Sequence, residues 1–294
     1  MATVPIELLR AMRLHHWVKN VFVLAPLVFA HQVTDTDNVL RVLGAFVLFG
    51  LVASAVYLIN DIADRAADRL HPDKCRRPIA SGRLPLGVAA TAAALMLVAS
   101  IGGAALLSDR LALVLGAYLV LNLAYSFGLK RVVVLDVMIL SSGFLLRAWA
   151  GAVVIDVVMS HWLVLCTGLI SLFLGFVKRR QELVALDLEA PNQRPILKEY
   201  SIPFLDQMVS TVTAGTVVAY ALYAFSPEVA EKLGTDWMGL TIPFVVFGIF
   251  RYLYLVYQRG HGQNPTALIL RDVPLLINLA LWAAACLLAL YGGL

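Results

Sequence analysis

The sequence predicts an all-α protein that crosses a membrane many times, on three observations. Hydrophobic residues make up 61% of the 294 positions and charged residues only 14%, with a mean hydropathy of +0.83, far from the composition of soluble domains. Apolar stretches recur at about the 20-residue length that a helix needs to cross roughly 30 Å of hydrocarbon. Lysine and arginine collect on alternate connections between these stretches.

Nine stretches define the predicted membrane-spanning helices in chain order. The first is short and contains Pro26, and the third and fourth are joined by a tight turn around Asp109. No soluble appendage or internal repeat is visible, so residues 1–294 are predicted to form a single integral membrane domain. The nine stretches lie at residues 17–31, 39–59, 84–107, 110–128, 132–155, 160–177, 203–225, 237–257 and 270–291.

The distribution of cations predicts the orientation in the membrane. Nineteen of the 23 lysine and arginine residues fall on one set of connections, whereas Arg41, Arg110 and Lys232 fall on the other and Arg147 lies inside a span. Because lysine and arginine accumulate in short cytoplasmic loops, the N-terminus is expected in the cytoplasm and, after nine spans, the C-terminus outside. We expect a multi-pass protein of the plasma (inner) membrane with its charged face toward the cytoplasm.

A run of acidic residues follows the second span, where topology requires none. If the helix continues to Leu70, three aspartates fall at i, i+3 and i+7 on one stripe. Aligned carboxylates repel one another, and Mg²⁺, which takes oxygen ligands from one or two carboxylates and from phosphates, offsets that repulsion. The alternative is a solvated helix end with the acids paired to Arg65 and Arg69. The stripe consists of Asp61, Asp64 and Asp68, with Asn60 at its edge.

Cations return toward the acidic stripe just after this helix. His71 and Pro72 are expected to end the helix, and a basic segment follows. Metal-binding acids beside mobile cations suit a diphosphate, since arginine makes bidentate contacts to phosphate oxygens. The cluster therefore predicts a diphosphate site with cations at Lys74, Arg76 and Arg77.

Arg147 is the one cation placed well inside a span, and such a residue is by default functional or paired. Asp136, the nearest acid on the same face, is eleven residues and about 16 Å away along a helix, so the two cannot pair directly. Arg147 is expected to reach a phosphate or an acid of another helix. Lys19 and Asn20, at the entry of the first span, are candidates for a lipid phosphate.

The acidic run resembles a known signature. Asn60-Asp61-x-x-Asp64-x-x-x-Asp68 is similar to the NDxxDxxxD motif of the UbiA superfamily of membrane prenyltransferases. The resemblance implies nine transmembrane helices around a central cavity that opens to the cytoplasmic face. It also implies Mg²⁺ held with a diphosphate by the acid cluster.

The second acidic motif of that superfamily, DxxxD, is absent here. Its position reads FVKRRQEL at residues 176–183, with three cations and one acid, Glu182. A narrower branch, the decaprenyl-phosphate phosphoribosyltransferases, is similar in this and in five further blocks over the first two thirds of the chain. The six blocks are HWVKN (16–20), SAVYLINDIADRAADRLHP (54–72), RPIASG (77–82), LAYSFGLK (123–130), LLRAWAG (145–151) and VKRRQEL (177–183).

This branch implies transfer of 5-phosphoribosyl from 5-phosphoribosyl 1-diphosphate (PRPP) to a polyprenyl monophosphate, with release of diphosphate. Asp61 and Asp64 would bind Mg²⁺ on the diphosphate, with Asn60 and Asp68 beside them. The sugar phosphates would be bound by Lys74, Arg76 and Arg77, with Lys178 and Arg179 completing the clamp.

Three further residues belong to this assignment. Tyr125 and Lys130 match a Tyr-x4-Lys pattern of the family, in which the lysine would stabilise the leaving diphosphate; an interfacial aromatic is the alternative for Tyr125. Glu182 is assigned to the substrate site, or pairs with Lys178 at i, i+4.

Two other functions stay open at this point. One is transfer of a prenyl group from a prenyl diphosphate to an aromatic or other small acceptor, and the other is a non-enzymatic transporter or lipid-binding protein. The polar loop at 185–202 is either a lid or a plain connector. The expected partners are PRPP, a polyprenyl monophosphate and the membrane, without nucleic acid; a homo-oligomer stays open because an apolar exterior leaves no readable mark.

Overall fold

The computed structural model describes residues 4–71, 74–189, 195–259, 268 and 271–291, without the side chains of 186–189, 195 and 232. Within these ranges the chain is helical and contains no β-strand, which confirms the predicted fold class. The residues cluster into two compact units. Unit 1 comprises 1–130 and 143–159, and unit 2 comprises 131–142 and 160–294.

Twelve α-helices are described. Five short 3-10 helices accompany them, of which Leu14–Asn20 and Lys74–Arg76 matter for the site. The α-helices are α1 (Val4–Met12), α2 (Val21–Phe29), α3 (Thr36–Ala63), α4 (Arg65–Leu70), α5 (Leu86–Leu107), α6 (Asp109–Phe127), α7 (Leu135–Val154), α8 (His161–Glu189), α9 (Ile202–Ala224), α10 (Pro227–Leu233), α11 (Ile242–Arg259) and α12 (Val273–Tyr291).

Seven of the described helices are long and apolar enough to cross a membrane, so the predicted count of nine spans is wrong. The stretch at 17–31 is divided between a 3-10 helix and α2, whose nine residues extend only about 14 Å. The stretch at 203–225 forms α9, which has 23 residues but is less apolar because it carries Asp206, Gln207 and four serine and threonine residues. The seven helices are α3, α5, α6, α7, α8, α11 with the turn before it, and α12.

Unit 1 is built around α3. The helix begins at its N-cap Asp35, whose carboxylate accepts hydrogen bonds from the backbone N–H groups of Asp37 and Asn38, so donors that no helical carbonyl can reach are satisfied. Its 28 residues extend about 42 Å, more than the hydrocarbon thickness requires. α5, α6, α2 and α1 pack against it. Phe49 and Val52 on α3 are fully buried in the resulting apolar core.

The segment before α2 is fixed against α3 by a tryptophan. Trp17 Nε1 donates a hydrogen bond to Ser54 Oγ at 3.0 Å, and Ser54 Oγ donates to the Met12 carbonyl at 3.0 Å. Gly50 leaves room for the indole ring, since a β-carbon there would lie 2.6 Å from it. These contacts hold Arg13, the residue between α1 and the 3-10 helix, near the C-terminal end of α3.

Unit 2 has its own core between α8, α9, α11 and the first half of α7. Phe173, Val177, Leu205 and Val256 are buried there. α9 begins at Ser201, whose hydroxyl accepts a hydrogen bond from the Phe204 N–H. The two units therefore bury separate apolar cores, each organised by helices that are long enough to span a bilayer.

Candidate active site

The acidic stripe lies at the C-terminal end of α3, but the helix does not continue as predicted. α3 ends at Ala63, Asp64 adopts φ −86° and ψ 2°, and α4 begins at Arg65. The prediction of one continuous helix through Leu70 is therefore wrong. Asp61 and Asp68 are nonetheless both buried, whereas the Asp64 side chain is 47% exposed. The break separates the stripe into a buried pair and one accessible acid.

The buried pair is neutralised by two arginines. Arg77 Nη1 donates hydrogen bonds to Asp61 Oδ1 at 3.0 Å and to Asp68 Oδ2 at 2.7 Å. Arg13 Nη2 donates to the same Asp61 oxygen at 2.6 Å. Two carboxylates and two guanidinium groups therefore form one compact, charge-balanced cluster. The alternative pairing with Arg65 and Arg69 is not observed, because Arg69 Nε donates to the Ala80 carbonyl.

A second pair of contacts connects the end of α3 with the end of α6. Lys130 Nζ lies 3.6 Å from Asp64 Oδ1, and both side chains are partly exposed. Ser126 Oγ donates to Asn60 Oδ1 at 2.6 Å, which fixes the orientation of that amide. Asn60 and Asp64, at the end of α3, therefore lie beside the buried pair, and Ser126 and Lys130, at and just after the end of α6, contact them.

The remaining candidates of this cluster lie in unit 1. The Arg76 side chain is exposed, Lys74 and Tyr125 are half-buried, and the Arg76 carbonyl accepts a hydrogen bond from Arg83 Nη2 at 2.6 Å. Pro72, which was expected to end the helix, and Asp73 lie outside the described residues. The predicted basic segment is therefore next to the acids, with Arg77 in contact with them.

The donor set at the end of α3 suits Mg²⁺. Its carboxylates and amide are oxygen donors, which Mg²⁺ prefers, and Asp61 and Asp68 already share one cationic group, Arg77 Nη1. Among the described residues, no group of three or more His, Cys, Asp or Glu side chains converges closely enough to hold an ion by itself. A metal bound here would therefore need further oxygens from water or from a phosphate.

Arg147 and Asn20 differ from their predicted roles. Arg147 is 4% exposed and Asn20 1% exposed, and Arg147 Nε donates to Asn20 Oδ1 at 2.9 Å. Arg147 also donates to the Gly143 carbonyl and stacks against the rings of Phe49, Tyr118 and Phe144. The Arg147 side chain has almost no exposed surface to which a phosphate could bind, and none of its hydrogen-bond acceptors among the described residues is a carboxylate. Both residues form a structural network.

Lys19 is more exposed than its neighbour Asn20. It is half-buried, and its ammonium group lies 6.0 Å from the centre of the Phe144 ring, within the range of a cation–π interaction. Of the two residues predicted to bind a lipid phosphate at the first span, only Lys19 therefore has exposed surface.

Unit 2 contains the basic segment that replaces the second acidic motif. Arg179 is 1% exposed and donates to Asp136 Oδ2 at 2.7 Å and to Glu182. Tyr200 OH donates to Asp136 Oδ1 at 2.6 Å. Arg179 therefore stabilises unit 2 and has no surface for a phosphate in this structure, contrary to the predicted clamp.

Lys178 and Glu182 form the predicted i, i+4 pair, with 3.9 Å between Lys178 Nζ and Glu182 Oε1. The Lys178 side chain is 41% exposed, whereas that of Glu182 is 20% exposed and also accepts from Arg179. Lys178 remains the accessible cation of this segment among the three candidates, and Glu182 serves as the acid that orients both of its basic neighbours.

Sequence reasoning missed two residues of the cluster. Arg13 is one of the nineteen cations that predict the topology, and Ser126 lies in the LAYSFGLK block without a predicted role. A contact between residues 13 and 61, or between 60 and 126, has no local periodic signal. Arg13 does have one structural signal, a left-handed backbone with φ 54°, but this becomes visible only in the fold.

The described helices and the charged cluster at the end of α3 define a polytopic membrane protein with a site suited to a phosphate-bearing substrate. The model of the UbiA prenyltransferase family matches residues 21–271, and the chain belongs to this family. Curated proteins named decaprenyl-phosphate phosphoribosyltransferase are 38% identical to it in both Mycolicibacterium smegmatis and Mycobacterium tuberculosis. The alignments cover 97% of this chain and 92% of the first protein, and 94% and 91% for the second.

Solved structures show the same fold at low sequence identity. A UbiA homologue from Archaeoglobus fulgidus bound to GPP and Mg²⁺ aligns with a TM-score of 0.71 at 17% identity, over 97% of this chain and 99% of that one. A structure described as digeranylgeranylglyceryl phosphate synthase aligns with a TM-score of 0.65 at 18% identity, over 98% and 99%.

Proposed function

We propose that this protein is a phosphoribosyltransferase that moves 5-phosphoribosyl from PRPP to a polyprenyl monophosphate of the decaprenyl type and releases diphosphate. The observation that carries the proposal is identity of 38% with proteins named for this activity over nearly the whole length of both chains. The segment at Lys178 is basic, whereas the UbiA superfamily has its second acidic motif, DxxxD, at this position. This difference supports a donor other than a prenyl diphosphate.

The donor diphosphate is assigned to the cluster at the end of α3. Asp61 and Asp64, with Asn60 and Asp68 beside them, would hold Mg²⁺, and the solved homologue that contains Mg²⁺ supports a divalent ion in this family. The ion would supply Lewis-acid polarisation of the diphosphate oxygens. The site matches the charge of PRPP because cations adjoin the acids on several elements.

The cations are assigned by their positions. Arg77 contacts the acids and Lys130 lies beside Asp64, so both are assigned to the diphosphate. Lys74 and Arg76, on the same connection, are assigned to the sugar phosphate, and Lys178 stays a proposed substrate contact of unit 2. Four other candidates are assigned a structural role and no substrate contact, because their polar atoms already contact protein groups. These residues are Asn20, Arg147, Arg179 and Glu182.

The reaction is substitution at the anomeric carbon of the ribose. The bond from C1 to the diphosphate oxygen breaks, and its electron pair leaves with the diphosphate. A phosphate oxygen of the lipid forms the new bond to C1. Because that oxygen is already anionic, no general base is required, and Lys130 and Arg77 stabilise the charge that develops on the leaving group.

The acceptor determines where the site lies in the membrane. A polyprenyl phosphate keeps its chain in the bilayer and its head at the surface, so the reacting phosphate must meet the donor at one membrane face. PRPP is a soluble, highly charged donor, and we assign this face to the cytoplasm on the basis of the cations collected there. Lys19, half-buried near the start of the chain, is assigned to the lipid phosphate.

Donor choice tests this function against ordinary prenyl transfer. Purified protein in detergent with Mg²⁺ is given either PRPP with a polyprenyl monophosphate or geranyl diphosphate with an aromatic acceptor. The diphosphate released from each mixture is measured. The proposal requires release from PRPP that depends on the lipid acceptor. Release from geranyl diphosphate with an aromatic acceptor, and none from PRPP, would instead establish prenyl transfer.

A further inference from the structure

Arg13 lies in a conformation and a contact that its sequence position does not explain. Its backbone is left-handed, with φ 54° and ψ 50°, a region that residues with a β-carbon rarely adopt. Strain of this kind persists where the surrounding structure holds it, often at functional sites. Here the Trp17–Ser54–Met12 hydrogen bonds hold the adjoining chain. The strained backbone directs the guanidinium group of Arg13 to Asp61.

The guanidinium group is held on two sides. Arg13 Nη2 donates to Asp61 Oδ1 at 2.6 Å, and the Arg13 guanidinium carbon lies 4.8 Å from the centre of the Tyr57 ring. The side chain is 24% exposed, whereas that of Asp61 is 3% exposed. A flat guanidinium group stacked on a ring retains donors at its edge, so Arg13 can change its hydrogen-bond acceptor without leaving Tyr57.

The charge balance of the cluster predicts how a metal would enter. Asp61 and Asp68 carry two negative charges, and Arg13 and Arg77 carry two positive charges. A divalent cation added alone would leave an excess of two positive charges in a partly buried site, which is unfavourable. A diphosphate added with the metal removes that excess and offers acceptors to both guanidinium groups.

We infer that Arg13 is an exchangeable counter-ion: it pairs with Asp61 in the empty site and transfers its hydrogen bonds to the phosphate when metal and diphosphate bind. Arg13 therefore makes Mg²⁺ and diphosphate bind cooperatively. By linkage, each ligand increases the affinity for the other by the same factor. This positioning role rests on the proposed binding of Mg²⁺ and a diphosphate at Asp61, but not on the identity of the sugar or the acceptor.

Arg13→Gly is the variant that tests this inference, because glycine adopts the left-handed backbone without strain and folding should be retained. Calorimetry on purified protein in detergent measures two affinities: that for Mg²⁺ alone, and that for inorganic diphosphate in excess Mg²⁺. Arg13→Gly should bind Mg²⁺ alone about tenfold more tightly, because the competing cation is lost, and diphosphate about tenfold more weakly, because a charge-assisted hydrogen bond is lost.

Two further variants complete the test. Arg13→Lys keeps the charge and should retain most of the diphosphate affinity, whereas Arg110→Ala, which removes an exposed pair with Asp156, should change neither affinity. Opposite shifts in Arg13→Gly support the inference. Parallel weakening of both ligands, or no change in either, overturns it. If the unmodified protein binds Mg²⁺ and diphosphate, and Arg13→Gly shows the opposite shifts, but PRPP is not turned over, the inference stands and the proposed donor is refuted.

Discussion

Arg147 Nε donates a hydrogen bond to Asn20 Oδ1 at 2.9 Å, between residues 127 positions apart in the chain. The contact connects α7 to the end of the 3-10 helix Leu14–Asn20, and Asn20 Nδ2 in turn donates to the Phe46 carbonyl on α3 at 3.2 Å. An intramembrane arginine is thus stabilised by an amide, a carbonyl and aromatic rings. The network connects three segments of unit 1.

Arg147→Ala should therefore lower stability and not substrate affinity. Removing the side chain leaves Asn20 Oδ1 without its donor and opens a cavity among the rings, so we expect a loss of about 2–4 kcal/mol. Thermal unfolding in detergent measures the loss. The KM for PRPP of the remaining folded protein should be unchanged, and an increased KM at unchanged stability would return Arg147 to the substrate site.

Asp136→Ala should destabilise unit 2 more strongly than removal of any exposed ion pair. Asp136 accepts hydrogen bonds from Arg179 and from Tyr200, and the side chains of Asp136 and Arg179 are almost fully buried. An unpaired buried charge costs about 3–5 kcal/mol, whereas an exposed pair contributes about 0–1 kcal/mol. Arg110→Ala, in an exposed pair, is the matched control, and equal unfolding temperatures of the two variants would refute this account of Arg179.

Asp61→Asn and Asp64→Asn should each reduce turnover by about 100-fold or more, since metal-held charge stabilisation supplies several kcal/mol. Both residues lie at the end of α3. Asp64 is half-exposed, so Asp64→Asn should leave stability unchanged, whereas Asp61→Asn removes a buried carboxylate that pairs with Arg13 and Arg77 and should also lower stability. Turnover and its Mg²⁺ dependence are measured together with thermal unfolding. Full activity in both variants would exclude these acids as metal ligands.

Lys178→Ala should raise the KM for PRPP by about tenfold with a smaller change in kcat, because one charge-assisted contact to a phosphate is lost. Lys178 is the most exposed of the three charged residues in its cluster. Lys198→Ala, an exposed residue of the 3-10 helix Pro195–Glu199 before α9, is the control for general loss of positive charge. Identical effects of the two substitutions would leave Lys178 with only a topological role.

Glu7 should make stability depend on pH. Its carboxylate is desolvated, but hydrogen bonds and charge from Arg83 and Arg10 lower the pKa of Glu7 below its usual range. A lowered pKa contributes stability above the unfolded pKa, near 4.3, that is lost as the pH falls through the folded pKa. Glu7→Gln should unfold at a lower temperature at pH 7, with the difference disappearing at acidic pH. A constant difference would exclude this titration.

The sequence was sufficient for the fold class. Hydropathy identified α3, α5, α6, α7, α8, α11 and α12, because each must cover its backbone with apolar side chains to cross a bilayer. It overestimated the first span because the apolar residues at 21–29 follow a 3-10 helix, so that α2 itself has only nine residues. The acidic motif grouped Asp61, Asp64 and Asp68, and in the structure Asp61 and Asp68 share the Arg77 guanidinium group.

The partners of individual side chains could not be predicted. Arg13 meets Asp61, Asn20 meets Arg147 and Asp136 meets Arg179 across 43 to 127 residues, and periodicity gives no information about contacts at such distances. Burial decided the outcome: Lys19 and Lys178 retain exposed surface, while Asn20 and Arg179, each next to one of them in sequence, are enclosed. Adjacent residues on an α-helix are rotated by about 100° around the helix axis, so one short motif can contain both an exposed and an enclosed side chain.

The most direct test of the account follows label from the donor into the lipid. Purified protein, Mg²⁺, PRPP labelled in the ribose and a polyprenyl monophosphate are incubated, and label is measured in the organic phase, with EDTA and Asp61→Asn as controls. The account predicts labelled lipid carrying one phosphoribosyl group per diphosphate released, abolished by EDTA and by the substitution. Absence of labelled lipid from folded, Mg²⁺-supplied protein that consumes a prenyl diphosphate would contradict it.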